Sequence, residues 1–183
     1  MTLQESKLRY TLGFIHCPET NQILLLNRQK KPWMGRWNGV GGKLEENESP
    51  YDCIVRETEE ETGLKLPQYK SRGVLTWNIQ GTAAFKGESI GGMYLFTAQV
   101  SEDVVKGYPT PIEFDNEGIL AWKNFDWCSN KDNLGIVDNI KIIFEHIFKG
   151  CAQDLYTTKY QGDDMISFVY YPKAGERSEL SGC

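Results

Sequence analysis

Histidine, excess positive charge and long hydrophobic runs are scarce or missing in this chain, and each absence excludes a class of protein. Only two of the 183 residues are histidine, so catalysis must depend mainly on carboxylates or on a metal ion. Twenty Lys and Arg against 25 Asp and Glu give a net charge of -5, which argues against binding of long nucleic acid through bulk positive charge. With no run of about 18 apolar residues, a membrane-spanning helix is not expected.

The cysteines and the N-terminus predict a location. Five cysteines occur without a C-x-x-C pair, which indicates free thiols in a reducing compartment rather than a disulfide framework or a zinc site. The first residues lack a basic segment followed by an apolar one, so no secretory signal is predicted and we expect a cytoplasmic protein. We further expect a monomer with one domain over residues 1–171 and a flexible tail over 172–183.

Apolar patterning predicts a sheet flanked by helices. Strands are predicted as a hairpin of 8–16 and 22–27, as runs near 70–79, 92–100 and 118–123, and as a last hairpin of 155–160 and 165–171. Helices are predicted over 50–62, capped by Ser49 and Gly63, and over about 136–148. This order indicates an α/β fold in which helices cover both faces of a sheet.

The helix over 50–62 belongs to an unusually acidic segment, GGKLEENESPYDCIVRETEEETGL at 41–64. A helical wheel predicts a buried stripe made of Tyr51, Ile54, Val55, Thr58 and Thr62. Glu57, Glu60 and Glu61 stand at i, i+3 and i+4, so their side chains meet and repel one another unless a cation lies among them. Hard oxygen ligands suit Mg²⁺, with Mn²⁺ as the alternative ion. A solvated acidic helix face is the competing interpretation of this segment.

The residues that flank the acidic helix favour a phosphate site. Gly41 and Gly42 allow the backbone to approach a ligand closely, and Gly41 can turn its carbonyl toward a metal. Arg56 can orient carboxylates through bidentate bonds, and Lys43 provides a point charge for a phosphate. Carboxylate-bound Mg²⁺ beside a glycine loop is typical of phosphoryl chemistry. The P-loop alternative fails because G-x-x-x-x-G-K-[ST] is absent.

These residues resemble the Nudix box, G-x5-E-x7-R-E-U-x-E-E-x-G-U with U aliphatic. The matching positions are Gly42, Glu48, Arg56-Glu57, Glu60-Glu61 and Gly63-Leu64. The departure is Thr58, where the pattern prefers Ile, Leu or Val. The resemblance implies the Nudix α/β/α sandwich with a mixed sheet, and Mg²⁺-dependent hydrolysis of a nucleoside diphosphate linked to another group.

By position in the box, the resemblance also implies roles for individual residues. Glu57, Glu60 and Glu61 would be metal ligands together with the carbonyl of Gly41. Arg56 and Glu48 would brace the turn between loop and helix. Some family members add a carboxylate from a loop before a late Trp, and Glu117 fits that place, with Glu113 in reserve. Either Glu57 or Glu117 would take the proton from the attacking water.

The chain from about Tyr10 to Tyr171 resembles one Nudix group more closely, the MutT-homologue hydrolases of oxidised purine nucleoside triphosphates. The resemblance rests on the loop GRWNGVGGK at 35–43 and on YQGDD at 160–164. It implies cleavage of a substrate such as 8-oxo-dGTP to the monophosphate and pyrophosphate, and therefore sanitation of the nucleotide pool. It implies Asn38 as the base-reading residue, Thr11 in the opening strand, and Asp138 and Asn139 in place of the group's two adjacent aspartates. The residues' own chemistry adds Lys43 and Trp33 to the predicted substrate-binding residues.

Physical arguments support base binding by individual residues, and for some of them a competing interpretation exists. The amide of Asn38 offers a donor and an acceptor to a purine edge, although it could instead hold its own turn. Trp33 could stack on a base or pack in the core. A buried Asp138 would stay protonated and donate to a purine carbonyl.

Two other functions stay open from the sequence. A Nudix enzyme of this kind could act on ADP-ribose, a dinucleotide polyphosphate or a capped RNA end. The chain could also be a binding module that has lost catalysis, although the intact glutamates oppose this.

Overall fold

A mixed β-sheet runs through the part of the chain that the structure, a computed structural model, describes: residues 8–82, 85–114, 116–162 and 164–173. The strands are β1 Leu8–Cys17, β2 Gln22–Arg28, β3 Trp37–Asn38, β4 Lys70–Thr82, β5 Phe85–Gln99, β6 Ile112–Phe114, β7 Gly118–Asn124, β8 Leu155–Gln161 and β9 Asp164–Tyr171. The helices are α1 Pro50–Thr62, α2 Glu102–Gly107, α3 Phe125–Ser129 and α4 Asp138–Ile143, followed by a 3₁₀ turn, Ile147–Lys149.

The nine strands of the described residues form one sheet in the order β6-β7-β2-β1-β5-β4-β8-β9, with β3 paired to β2 outside this path. The pairs β1–β5 and β4–β8 are parallel, and the remaining pairs are antiparallel. Both predicted hairpins, β1–β2 and β8–β9, are present. Strand β6 was not predicted from the sequence.

Each face of the sheet carries its own core because successive side chains of a strand point to opposite faces. Leu12 and Phe14 of β1 pack in one cluster with residues of α3 and α4. Ile15 and Cys17 pack in the other with residues of α1, and α2 adds partly buried valines. The prediction of an α/β fold with helices on both faces of a mixed sheet is therefore confirmed.

Helix α1 begins and ends at the predicted caps. The Ser49 side chain accepts a hydrogen bond from the Asp52 N–H, and Gly63 ends the helix in the left-handed region at φ 71°. The buried residues of α1 are Cys53, Ile54, Thr58, Glu61 and Thr62. The predicted buried stripe was wrong at Tyr51, which is 41% exposed because its hydroxyl reaches outward to the Pro67 carbonyl.

The helix predicted over 136–148 is shorter in the structure. Helix α4 begins only at Asp138, because the backbone of 135–137 is paired with β3. The N–H of Trp37 donates to the Gly135 carbonyl at 2.7 Å, and the N–H of Val137 donates to the Trp37 carbonyl at 3.1 Å. The apolar residues keep helical spacing through this segment. Its backbone groups, however, form hydrogen bonds with β3 instead of starting a helix.

Several predictions concern the chain ends and the cysteines. The four cysteines among the described residues are free thiols, as predicted. Asp163 in the last hairpin and residues 174–183 of the predicted tail lie outside the described residues. The single domain over 1–171 stays a prediction. In the described part of the chain, no helix has the length and apolar character that crossing a membrane requires.

Candidate active site

The glycine loop lies directly against α1. The Gly41 N–H donates to the Glu61 carboxylate at 2.7 Å, and the Thr11 N–H donates to the Gly42 carbonyl at 2.8 Å. Gly41 has φ 139°, a conformation that favours glycine, and a Cβ there would overlap the Thr11 carbonyl. A Cβ on Gly42 would overlap the Glu57 carboxyl group. Both glycines are therefore required for the loop to approach the glutamates.

Arg56 connects the loop to three glutamates. Its guanidinium donates two bonds to Glu48, at 2.8 and 2.9 Å, and one each to Glu57 and Glu60 at 2.9 Å. A further bond reaches the Lys43 carbonyl at 3.2 Å, while the Lys43 side chain is exposed. Hydrogen bonds from Arg56 lower the pKa of Glu48 to about 2, and those carboxylates raise the pKa of Arg56. Arg56 thus braces the turn, as the box resemblance implies.

The three predicted ligand glutamates differ in environment. Glu61 is 7% exposed, and burial raises its pKa to about 8, although the Gly41 N–H opposes this shift. Glu57 is half-buried, and burial raises its pKa as well. Glu60 is exposed and contacts Arg56. Burial therefore destabilises the charged form of two of the carboxylates, and a bound cation would offset this effect.

Glu117 lies on the Glu61 side of this cluster. Its negative charge contributes to the raised pKa of Glu61, and its carboxylate forms an ion pair with Lys30 at 2.6 Å. The reserve candidate Glu113 accepts a long bond of 3.5 Å from Gln29 at an exposed position. Of the two predicted acids, Glu117 is the one whose charge acts on the helix glutamates.

Asp138 and Arg36 form an ion pair in the region predicted to bind the base, which is called the base side below. The distance between Arg36 Nη1 and an Asp138 oxygen is 3.1 Å, and Lys141 Nζ lies 3.8 Å from the other oxygen. The Asp138 side chain is 33% exposed. Asp138 is therefore partly exposed and ion-paired, and the buried position considered from the sequence is not the one it occupies.

Strand β3 brings the other base-side residues together. Its pairing with 135–137 places Asn38 next to the start of α4, where Asp138 and Asn139 lie. Asn38 Oδ1 accepts a bond from the Gly39 N–H at 2.8 Å, which matches the turn interpretation for its acceptor. The ring of Trp33 lies 6.2 Å from that of Tyr160.

Thr11 is buried instead of facing this cluster. It is 3% exposed, and its hydroxyl lies 3.4 Å from Cys53 Sγ on the α1 face of the sheet. Its role in substrate binding stays a prediction.

Comparison with known protein families identifies the family of this chain. The model of the NUDIX domain matches residues 7–146. This chain belongs to the Nudix family. The Nudix resemblance drawn from the box is thereby confirmed, and Nudix hydrolases act on phosphoric anhydride bonds with the help of divalent metal ions.

Individual relatives point to the same family. The chain is 37% identical over 67 residues to the 8-oxo-dGTP diphosphatase of Proteus vulgaris, covering 36% of this chain and 59% of that protein. It is 32% identical over 104 residues to the oxidized purine nucleoside triphosphate hydrolase of Mus musculus, covering 57% and 60%. The chain thus spans about three fifths of these two relatives. The crystal structure of a MutT protein from Bacillus halodurans superimposes with a TM-score of 0.70 at 26% identity, covering 90% and 98%.

The Nudix glutamates fit a divalent cation in their chemistry, although they are not preassembled around one. Among the described residues, no three Asp, Glu, His or Cys side chains converge on one point as metal ligands. Arg56 and the Gly41 N–H hold the carboxylates instead. All donors are hard oxygens, and burial, followed by repulsion from neighbouring carboxylates as a smaller cause, raises the pKa of both Glu57 and Glu61. A divalent cation would relieve both penalties.

Sequence reasoning missed three residues that contact predicted site residues. Lys30 pairs with Glu117, Arg36 pairs with Asp138, and Tyr160 packs against Trp33. Arg36 lies in the loop signature, two residues before the predicted Asn38, and its charge was a signal that sequence reasoning could have used. Tyr160 alternates with Tyr156 and Thr158 on one face of β8, a pattern that indicated burial but no role.

Proposed function

We propose that this chain is a Mg²⁺-dependent pyrophosphohydrolase of nucleoside triphosphates, with an oxidised purine nucleotide such as 8-oxo-dGTP as its preferred substrate. The observation that carries the proposal is the contact between the glycine loop and the desolvated glutamates of α1. The names of the relatives in Proteus vulgaris and Mus musculus support this substrate class. The cytoplasmic location, the monomeric state and the role in sanitation of the nucleotide pool remain predictions.

The residues have defined tasks in this proposal. Glu57, Glu60, Glu61 and Glu117, with the Gly41 carbonyl, would hold Mg²⁺, or Mn²⁺ as the alternative ion. When bound, the ion would supply positive charge against the phosphate oxygens. Either Glu57 or Glu117 takes the proton from the attacking water, and a raised pKa suits Glu57 to this task.

The remaining site residues position the substrate and the glutamates. Arg56 keeps Glu57 and Glu60 oriented through its fork of donors. The exposed Lys43 would contact a phosphate. Asn38, Asp138, Asn139 and Trp33 form the proposed base side, and Thr11, buried on the α1 face, stays a predicted substrate-binding residue outside that cluster. Products are the nucleoside monophosphate and pyrophosphate.

The neighbouring glutamates Glu60 and Glu59 allow a matched test of the metal assignment. Glu59 is exposed and contacts Lys65 rather than Arg56. We expect Glu60→Gln to lower kcat by about 100-fold or more at saturating Mg²⁺, because a charged ligand is lost at the developing phosphate charge. Glu59→Gln carries the same change in charge and should leave kcat near the wild-type value. Equal kcat values for both variants would refute the assignment.

A panel of substrates tests which class of nucleotide the protein hydrolyses. Ordinary and oxidised nucleoside triphosphates, ADP-ribose, a dinucleotide polyphosphate and a capped RNA are incubated with and without Mg²⁺, and products are separated by chromatography. The proposal expects a monophosphate and pyrophosphate from the oxidised purine, only with metal. Fastest hydrolysis of ADP-ribose to AMP and ribose 5-phosphate, or of the dinucleotide polyphosphate to two mononucleotides that share its phosphates, would reassign the substrate. No hydrolysis at all would favour a binding module.

A further inference from the structure

Tyr160 of β8 lies at the proposed base side of the site. It is 4% exposed, on the face of β8 that also carries Tyr156 and Thr158. Its ring lies 6.2 Å from that of Trp33, whose other neighbour is the Arg36 guanidinium at 5.8 Å from the Trp33 ring centre. Tyr160 is therefore packed at the place where the loop before β3 meets the sheet.

Two oxygen atoms in this place lack hydrogen bonds. Within the described ranges, the Tyr160 hydroxyl and Asn139 Oδ1 are buried and have no hydrogen-bond partner. Buried polar atoms are normally paired, because removing them from water without a new partner is unfavourable. A ligand that brings an acceptor to the Tyr160 hydroxyl and a donor to Asn139 Oδ1 would satisfy both atoms.

The charges around Tyr160 define what it offers. Burial and the negative charge of Asp138 raise the pKa of Tyr160 to about 12, while a weak interaction between the Asn139 side chain and the hydroxyl oxygen, outside normal hydrogen-bond geometry, opposes this shift. The hydroxyl is thus protonated at neutral pH and available as a donor. Asn139 Oδ1 can only accept, and the two Asp138 oxygens offer acceptor sites beyond those used by Arg36 and Lys141.

We infer that Tyr160 is a specificity-determining residue that, with Asn139, reads the hydrogen-bonding edge of a guanine-type base. A guanine edge presents a carbonyl, a ring N–H and an amino group in sequence. One donor from Tyr160 and acceptors on Asn139 and Asp138 complement this order. An adenine edge offers one amino group and no ring N–H, so it would leave an acceptor unpaired. This inference rests on the proposed function, because it assumes a purine nucleotide as substrate.

Tyr160→Phe tests the inference because it removes only the hydroxyl. Tyr156→Phe is the matched control, a buried tyrosine on the same face of the same strand beside Tyr170 and Phe168. For Tyr160→Phe we expect KM for a guanine-type triphosphate to rise about three- to tenfold, the loss of one neutral hydrogen bond. KM for the adenine-type triphosphate and both kcat values should stay near wild type. Tyr156→Phe should alter neither KM.

Thermal unfolding separates recognition from structure. Because the Tyr160 hydroxyl has no hydrogen-bond partner among the described residues, we expect the Tm of Tyr160→Phe to be equal to or higher than that of the wild type. A lower Tm together with a proportional loss of activity toward both bases would show a structural role and overturn the inference. Unchanged KM for both bases would overturn it as well.

Calorimetric binding of dGMP and dAMP distinguishes this inference from the proposed function. If the wild type hydrolyses no nucleotide, the proposed function fails, yet tighter binding of dGMP that is lost in Tyr160→Phe would still support the role of Tyr160. If the wild type hydrolyses purine triphosphates but binds dGMP and dAMP equally, only the inference fails.

Discussion

Thr58 departs from the aliphatic residue of the Nudix box, and the structure supplies a reason that can be tested. Its side chain is fully buried, and its hydroxyl donates to the Ile54 carbonyl at 2.7 Å. The same hydroxyl oxygen lies 2.7 Å from the Tyr69 hydroxyl, which therefore acts as the donor in that second bond. Tyr69 is 7% exposed and packs in the core on the α1 face.

Thr58→Val keeps the shape of the side chain and removes its hydroxyl. The Tyr69 O–H is then buried without an acceptor, which costs about 1–3 kcal/mol of unfolding free energy. For a chain of this size we expect the Tm to fall by about 2–4 °C per kcal/mol. Tyr69→Phe alone should cost less, because Thr58 keeps its bond to Ile54. In the double variant no polar atom of the pair is left unpaired, so its stability should lie close to that of Tyr69→Phe.

Urea unfolding followed by far-UV circular dichroism gives the three free energies of this double-mutant cycle. The expected coupling between the two positions is about 1 kcal/mol or more. Additive losses, or a neutral Thr58→Val, would refute the view that Thr58 stands in the box to pair with Tyr69. Hydrolysis well below the Tm should be retained in all three variants, because Thr58 faces the core and not the glutamate cluster.

Three further changes test the site and the fold. Gly42→Ala should lower kcat by about 100-fold, because the methyl group displaces the Glu57 carboxyl group; a fall in Tm of many degrees would show instead that the loop had unfolded. Arg56→Lys should lower both Tm and kcat, since an ammonium cannot replace the bidentate bonds to Glu48, and retained kcat would contradict a positioning role. Burial lowers the pKa of His16 below its usual 6.5, so protons bind the unfolded chain more tightly. The unfolding free energy should therefore fall as the pH drops below about 6.5 and level off once folded His16 is protonated; urea titrations should show a smaller fall for His16→Phe, and an identical fall would contradict this.

The face of α1 that carries the glutamates was largely predictable from sequence. Regular spacing at i, i+3 and i+4 places carboxylates together on any helix, and the caps Ser49 and Gly63 define where that helix begins and ends. The role of Arg56 toward the glutamates was predicted for the same reason. Local chemistry and helix geometry decide these features, so no knowledge of distant contacts was needed.

The base side could not be predicted with the same detail, because it depends on contacts between distant parts of the chain. Asp138 pairs with Arg36 across 102 residues, and it does not take the buried position considered from sequence. The pairing of 135–137 with β3 shortened the predicted helix for the same reason.

The amino-acid sequence by itself determined the α/β character, both hairpins, the capped acidic helix and the cluster of glutamates, because these follow from periodicity and spacing within short segments. Only the tertiary structure decided that Glu61 is buried against Gly41, that Glu117 acts on it from a distant loop, and that the Tyr160 hydroxyl and Asn139 Oδ1 are buried without hydrogen-bond partners among the described residues. Burial and charge at each of these places arise from residues that are far apart in the chain, and a pattern within one segment carries no information about them.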